Sequence, residues 1–363
     1  MTSTPDSSGS KSSPPLIIPF FIPHAGCPHQ CAFCNQSIIT NKSQNSGITA
    51  TCSSEDINRT VKEFLAYRGS RQKVELAFFG GNFLGLNEPE IKSILQTGQK
   101  LFNEGKIDGI RFSTRPDTIT KRTLDLITGY PVSTIEIGVQ SMDNHVLRKS
   151  QRGHSSENTV RAAELLKDYT PNISMGMQMM VGLPGDNDAT AINTAERIAG
   201  LEPDFIRIYP LVVLEGSMIA RWFRQGKYYP MSLKESVNLV KKIFLIFEQN
   251  DIDVIRMGLQ SSDIMQDESM MIAGPWHPAF GHLVHSELFF DHVVEIIQKK
   301  LSTSFSDATH LKLAVHPSSI SRLQGNRKEN IKRLETMFPS TTFQIITDKA
   351  LDRSRHGINV NFF

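Results

Sequence analysis

The sequence predicts an α/β fold, a partial (β/α)6 TIM-type barrel followed by a small C-terminal α/β module. Three observations predict it. Six β-type runs each lead into helix-forming sequence, one after another. Each run is almost continuously apolar, as strands of a parallel sheet covered on its faces must be. Cys27, Gly80, Thr114, Gln140 and Gly182 fall at or just past the C-terminal ends of those runs, the active face of α/β barrels.

Taken in order, residues 1–15 are rich in Ser, Thr and Pro and lack an apolar core, and read as a disordered leader. Leu16–Ile22 is the first strand, with a cysteine loop at its end, and Asn35–Thr51 is a polar loop. Ser53-Ser54-Glu55-Asp56 caps a helix that runs to about Tyr67. Val74–Phe79 is a strand ending in Gly80-Gly81-Asn82-Phe83, and its helix spans Glu88 to Glu104. The unit then repeats. Strands Gly109–Ser113, Ser133–Val139, Ile173–Val181 and Asp204–Tyr209 alternate with helical sequence near Thr118–Thr128, up to Tyr169, at Ala189–Ala199, Ser217–Arg224 and Ser232–Asn250. Val254–Met257 adds a further strand, Gly274-Pro275-Trp276-His277-Pro278 a turn-rich loop, and Leu283–Lys300 an amphipathic helix. After a linker at Ser302–Thr309 come strands near Leu311–Val315, Thr342–Ile346 and Ile358–Asn361, with a basic helix near Arg327–Met337. The expected domains are therefore a leader 1–15, a core barrel 16–260, a barrel-closing extension 261–301 and a module 302–363.

Composition excludes several classes. With 39% hydrophobic and 21% charged residues, the 363-residue chain has the make-up of a globular enzyme. Its net charge of +2 implies no strong polyanion-binding field from the totals. No apolar run reaches the ~18–20 residues of a membrane span, so no membrane partner and a cytoplasmic location are expected. Four cysteines, three of them clustered, suit a reducing compartment. The fourth, Cys52, reads as a buried or idle thiol.

The clustered three lie in Cys27-Pro28-His29-Gln30-Cys31-Ala32-Phe33-Cys34, spaced C-x3-C-x2-C. Such a trio can hold three irons of a [4Fe–4S] cluster and leave the fourth open for chemistry. Two alternatives stand beside it: a zinc knot completed by His24 or His29, and a cluster that only transfers electrons.

The loop, with Phe33 before its last cysteine, resembles the signature of the radical S-adenosylmethionine (SAM) enzymes. The resemblance extends through Gly80-Gly81-Asn82-Phe83, Thr114-Arg115-Pro116-Asp117, Glu136-Ile137-Gly138-Val139-Gln140-Ser141, Arg152-Gly153-His154 and Gly182-Leu183-Pro184-Gly185-Asp186. It covers about Leu16 to Gln260. Within the family it is most similar to the branch holding the Elongator catalytic subunit and the oxygen-independent coproporphyrinogen oxidases. It implies that SAM chelates the open iron and that one electron, from a donor such as ferredoxin or flavodoxin, yields a 5′-deoxyadenosyl radical.

The resemblance also implies residue roles. Cys27, Cys31 and Cys34 are the iron ligands. Gly80 and Gly81 let backbone approach the methionine amino group, and Asn82 stands where Glu, Ser or Thr is common. Gln140 and Gln178 bind ribose, Arg152 pairs with the SAM carboxylate, Phe33 packs near adenine, and Gly182 belongs to the cofactor's cradle. Without the resemblance, the glycine pair is an ordinary turn, Phe33 a core aromatic and Arg152 a solvated residue. Glu136 points into the barrel or into a helix contact. Tyr209 with Arg207, Arg256 with Gln260, and His277 are substrate-side candidates. Their alternatives are core packing, a barrel salt bridge and loop fixing.

In the C-terminal module, Leu323-Gln324-Gly325-Asn326-Arg327-Lys328 opens a basic helix and resembles the KH-type loop that clamps a nucleic-acid backbone, with Lys328 in place of the second glycine. Arg327, Lys328 and Lys332, flanked by Arg322 and Arg333, are the candidate RNA contacts; a solvated basic helix is the alternative. The ~60 residues after the linker are too few for the acetyltransferase-like domain of the Elongator subunit. The leading function is thus a radical SAM enzyme modifying tRNA or another RNA. Its alternatives are radical chemistry on a small molecule such as a tetrapyrrole, and a non-enzymatic iron–sulfur or zinc RNA-binding protein.

Overall fold

The computed structural model describes residues 15–22, 26–35, 53–259, 270–302 and 309–362. The chain forms two compact units, Met1–Gln178 with Leu201–Phe205, and Met179–Gly200 with Ile206–Phe363.

In the first unit the apolar runs pair as strands β1 (Leu16–Phe21), β2 (Val74–Phe79), β3 (Gly109–Thr114), β4 (Val132–Gln140) and the start of β5 (Ser174–Val181), neighbours in that order. The pairs are parallel, with Leu16 opposite Val74, Glu75 opposite Gly109 and Ile110 opposite Val132. Parallel neighbours need crossovers. They are supplied by helices α1 (Ser54–Leu65), α2 (Glu88–Asn103), α3 (Lys121–Ile127), α4 (Asn144–Lys149) and α5 (Ser156–Tyr169). Their starts are set by side chains: Ser53 accepts from Asp56 N, and Asn87 and Glu90 form a capping box.

The period-2 pattern of the strands separates two faces. One is apolar and fully buried, with Phe78, Phe83 and Phe112 in contact and the rings of Phe83 and Phe112 stacked 4.3 Å apart. The other carries a buried ion triad. Arg111 donates through Nη1 to Glu75 and through Nη2 to Glu136, each at 2.9 Å, and its guanidinium lies 5.4 Å from the Phe205 ring centre. Lys73 reaches Glu75 at 2.8 Å. Burial works to raise the Glu75 pKa, but the Lys73 hydrogen bond and the Arg111 charge outweigh it and hold the carboxyl below its usual range. Glu136 thus lies on the face of the sheet that carries the ion triad.

In the second unit the order continues from the end of β5 to β6 (Phe205–Pro210) and β8 (Asp253–Met257), with α6 (Asp188–Ala199), α7 (Met218–Arg224) and α8 (Leu233–Gln249) between them. The sheet therefore has seven strands in chain order, the succession of an α/β barrel wall, and the α/β class is as expected. Two short strands, β7 (Val213–Leu214) and β9 (Met271–Ala273), pair antiparallel. Helix α9 (Phe280–Ser302) leads to the C-terminal module. There β10 (Thr309–Val315) pairs parallel with β11 (Thr341–Thr347) and antiparallel with β12 (Ile358–Phe362), while α10 (Ile320–Gln324) and α11 (Glu329–Met337) cross between the parallel pair. Phe289, Phe290, Val293 and Ile297 of α9 close the module's core against Leu311, Leu313, Leu323, Leu334 and Val360. Among the described residues no helix is long and apolar enough to cross a membrane.

Candidate functional site

The cysteine loop leaves the end of β1 and is fastened at two points of its own unit. Ala32 N donates to Ser150 O at 3.0 Å, and Cys34 N closes a turn onto Cys31 O at 3.1 Å. Cys31 is buried, and Cys27 and Cys34 are half-buried. Burial, and then the neighbouring Cys31, raise the Cys27 pKa, while Arg115 and Arg152 pull it down. The ring of His29 lies so close to Gly153 that a Cβ there would sit 2.1 Å from it, so the imidazole is packed against backbone. Among the described residues no three Cys, His, Asp or Glu side chains converge as a single-ion site; His24, Cys52 and Gln260 lie outside those residues.

Asn82, directly after the glycine pair, does something the sequence did not reveal. It is 1% exposed. Its Nδ2 donates to Gly26 O at 2.7 Å. Its Oδ1 receives Thr114 Oγ1 at 2.8 Å, Arg115 N at 2.9 Å and Thr118 Oγ1 at 2.8 Å. One amide thereby ties the start of the cysteine loop to the ends of β2 and β3. The approach is tight: a Cβ on Gly26 would lie 2.2 Å from Asn82 O, and one on Gly85 would lie 2.1 Å from the Asn82 amide. Gly80 itself has φ 90, which only glycine adopts freely.

Arg152 meets the loop from the other side. Its Nη1 donates to Cys31 Sγ at 3.1 Å and its Nη2 to Gly138 O at 2.6 Å. Its buried Nε has no partner among the described residues. Gln140, the last residue of β4, is buried and left-handed at φ 68, a conformation that costs about 1–3 kcal/mol and tends to mark functional positions. Its Oε1 accepts from Gln178 Nε2 at 3.0 Å. A Cβ on Gly138 would crowd both Gln140 Nε2 and Arg152 Nη2. The structure thus gathers the cysteines, the glycine turn, Asn82, Gln140, Arg152 and Gln178 in one unit. Phe33 is half-buried beside Cys34.

Two further residues complete the rim. Arg115 holds Asp117 through two hydrogen bonds of 2.9 Å, leaving its buried Nη1 unpartnered among the described residues. Burial works to raise Asp117, yet Arg115 keeps it below the usual carboxylate range. His154 is buried, and its Nε2 donates to Val139 O at 3.3 Å. Burial first, then the charges of Arg152 and Arg115, lower its pKa to about 3, so it is neutral at physiological pH. Charged residues inside otherwise apolar strands were the one sequence signal for the Arg111 triad, and His154 stood out only as part of the Arg152-Gly153-His154 motif.

The remaining candidates lie in the second unit. Gly182 (φ 77) borders a cavity of about 550 Å³ lined by Asp186, Lys227, Tyr228, Tyr229, Met231 and Leu239 among others. Tyr228 Oη donates to Gly182 O at 2.7 Å, and burial, then Asp186, raise its phenol pKa. Asp186 accepts from Gly182 N at 3.1 Å and from Thr190 at 2.5 Å; burial raises its pKa against these bonds. Arg207 Nη1 lies 3.4 Å from Tyr209 Oη. Arg256 is half-buried on β8. His277 Nδ1 accepts from Ala279 N at 3.0 Å, so one ring nitrogen fixes the loop.

The Cys31 thiol, bonded to a buried guanidinium with a spare N–H in a loop that carries two more cysteines, suits an anionic iron–sulfur cluster and an acidic ligand on it. A model of the radical SAM superfamily matches residues 21–198, and one of the radical SAM C-terminal domain matches 203–289. A tRNA uridine(34) acetyltransferase of Methanocaldococcus infernus is 28% identical over 189 residues, 46% of this chain and 35% of that protein. Protein YhcC of Escherichia coli K12 is 26% identical over 213 residues, 56% of this chain and 63% of that one. Among solved structures, an archaeal Elp3 of Methanocaldococcus infernus lacking its N-terminus has the same fold. It superposes with a TM-score of 0.56 at 20% identity, over 80% of this chain and 64% of the other. The chain thus spans about a third of the archaeal acetyltransferase and under two thirds of YhcC.

Proposed function

The chain belongs to the radical SAM superfamily, a radical SAM enzyme with a [4Fe–4S] cluster and SAM as cofactors, and we propose that it cleaves SAM reductively to modify tRNA. When bound, these cofactors supply an electron and a 5′-deoxyadenosyl radical able to take hydrogen from a substrate. The chain's own residues do the rest. Cys27, Cys31 and Cys34 would hold three irons. Asn82 sets the height of the loop through Gly26, so its amide positions the ligands with one N–H of Nδ2 and keeps the second as a donor. Gly80 and Gly81 supply backbone at the methionine end, and Gln140 with Gln178 supply amides for ribose hydroxyls. Phe33 is assigned to the adenine side, and in the second unit Gly182 is kept as a cofactor-binding candidate and Tyr209, Arg256 and His277 as substrate-side candidates.

One observation carries the reading. Arg152 touches the Cys31 thiol at 3.1 Å and keeps a buried N–H unpaired, which suits a carboxylate arriving next to the cluster. The RNA substrate is supported by the archaeal relative, a tRNA uridine(34) acetyltransferase; its acetyl chemistry is left with that protein. A one-electron donor such as ferredoxin or flavodoxin and a reducing, cytoplasmic setting complete the proposal, because the three thiols must stay reduced to take up iron.

The test is anaerobic reconstitution with iron and sulfide, then dithionite and SAM with and without bulk tRNA. The reading expects 5′-deoxyadenosine, formed faster with tRNA. Absence of the nucleoside would reject the radical chemistry, and stimulation by a tetrapyrrole in place of tRNA would move the substrate class.

A further inference from the structure

The C-terminal module lies beyond both matched family regions, which end at residue 289. Its charge also sets it apart. From Thr309 to Phe363 the chain has nine Lys and Arg against four Asp and Glu, a net +5, whereas the preceding 308 residues have 30 against 33, a net −3. The total of +2 conceals this asymmetry.

Several of the module's cations are occupied by neighbours in their own unit. Arg333 pairs with Glu287 at 2.6 Å and stacks on Phe290 at 3.8 Å. Arg355 pairs with Glu248, and Arg322 donates to Arg353 O at 3.4 Å. Arg327, Lys328 and Lys332 are exposed instead.

The turn that presents them is unusual. Arg327 (φ 50, ψ 32) and Lys328 (φ 61, ψ 27) are consecutive left-handed residues with side chains, a conformation natural to glycine and costly for arginine or lysine. The turn is built, not frayed. Gly325 (φ 71) packs so closely on Asn330 that a Cβ would lie 2.8 Å from its side chain. Asn330 is 2% exposed. It donates to Ser286 Oγ at 3.0 Å and Arg322 O at 3.3 Å, and accepts from Arg333 at 3.1 Å. Lys328 thus occupies the place of the second glycine of a backbone-clamping turn, keeps a glycine-like backbone there, and adds a cation.

We propose that this turn and the first exposed face of α11 form a docking surface for the phosphate backbone of RNA, with Arg327, Lys328 and Lys332 as its contacts. The charge complementarity is that of a polyanion, and backbone contacts of this kind position a nucleic acid without reading its sequence. The proposal rests on the tRNA reading above for its partner and deepens it by naming where the partner is held.

The test is binding of labelled tRNA to the full-length reconstituted chain by fluorescence anisotropy, over a salt series and without SAM or reductant. The triple variant R327A/K328A/K332A is expected to bind at least tenfold more weakly, with the slope of log affinity against log salt reduced by about 2. The single variant K328G relaxes the backbone, so it is expected to melt higher than wild type and still bind several-fold more weakly. Equal affinity and equal salt slope for wild type and the triple variant would overturn the proposal. So would a loss confined to vesicles containing phosphatidylserine. Failure of the radical chemistry is seen separately, as absence of 5′-deoxyadenosine from wild type.

Discussion

Among the described residues, left-handed residues with side chains sit at Gln140, Gln151, Glu202, Asp251, Arg327 and Lys328, and two of these places, the cysteine rim and the C-terminal module, make an instructive contrast. At the cysteine rim, Gln140 (φ 68) is buried, and Gln178 grips its side chain. In the module, Arg327 and Lys328 bend the same way, yet their tips face water and one buried amide, Asn330, secures the turn. Strained backbone persists where its surroundings over-determine it. At the rim the surroundings are protein, so the strain serves geometry. At the turn they are solvent, which points to a bound partner.

The largest effect that could break this contrast is at the ligands. Replacing any one of Cys27, Cys31 or Cys34 by Ser is expected to abolish stable iron uptake, read as iron content and visible absorbance. Next is Asn82→Ala. It strips Gly26 O and three donors of their partner and is expected to cost about 2–4 kcal/mol in denaturant unfolding, with iron uptake reduced as the loop loosens. An unchanged loop would show that the amide positions nothing.

His154 sharpens the rim's side of the comparison through pH. Its pKa is about 3 in the fold against an ordinary 6.5, so the unfolded chain binds the extra proton between those values. Stability attributable to it is complete above pH 6.5 and declines as pH falls, by about 1 kcal/mol per pH unit. His154→Gln should flatten that decline in chemical denaturation between pH 6.5 and 4.5. The smallest effect belongs to the turn: Lys328→Gly should stabilise the chain by about 1 kcal/mol, whereas Gly153→Ala, pressed on His29 at φ 71, should destabilise it.

Much of this was legible in the sequence because periodicity and caps act locally. The apolar runs became β1 to β6 and β8 nearly residue for residue, and Ser53 starts a helix where the capping pattern placed it. What escaped was short or long-range. Helix α10 has five residues and β7 two, too few for a period to emerge. The Asn82 clamp joins positions 56 residues apart to Gly26, and the Arg111 triad depends on register between three strands. The charges of Glu75, Arg111 and Glu136 inside apolar runs signalled that partners must exist, not which they were. The module's charge asymmetry was present in the sequence and hidden by the near-neutral total.

The central claim is that the cysteine loop holds a cluster whose open iron takes SAM. Electron paramagnetic resonance of the reduced, reconstituted chain before and after adding SAM tests it most directly. The account predicts a [4Fe–4S] signal whose g-values shift when SAM is added, and a weakened shift in Arg152→Lys. A signal that SAM leaves unchanged, or a colourless zinc-loaded chain, would contradict it.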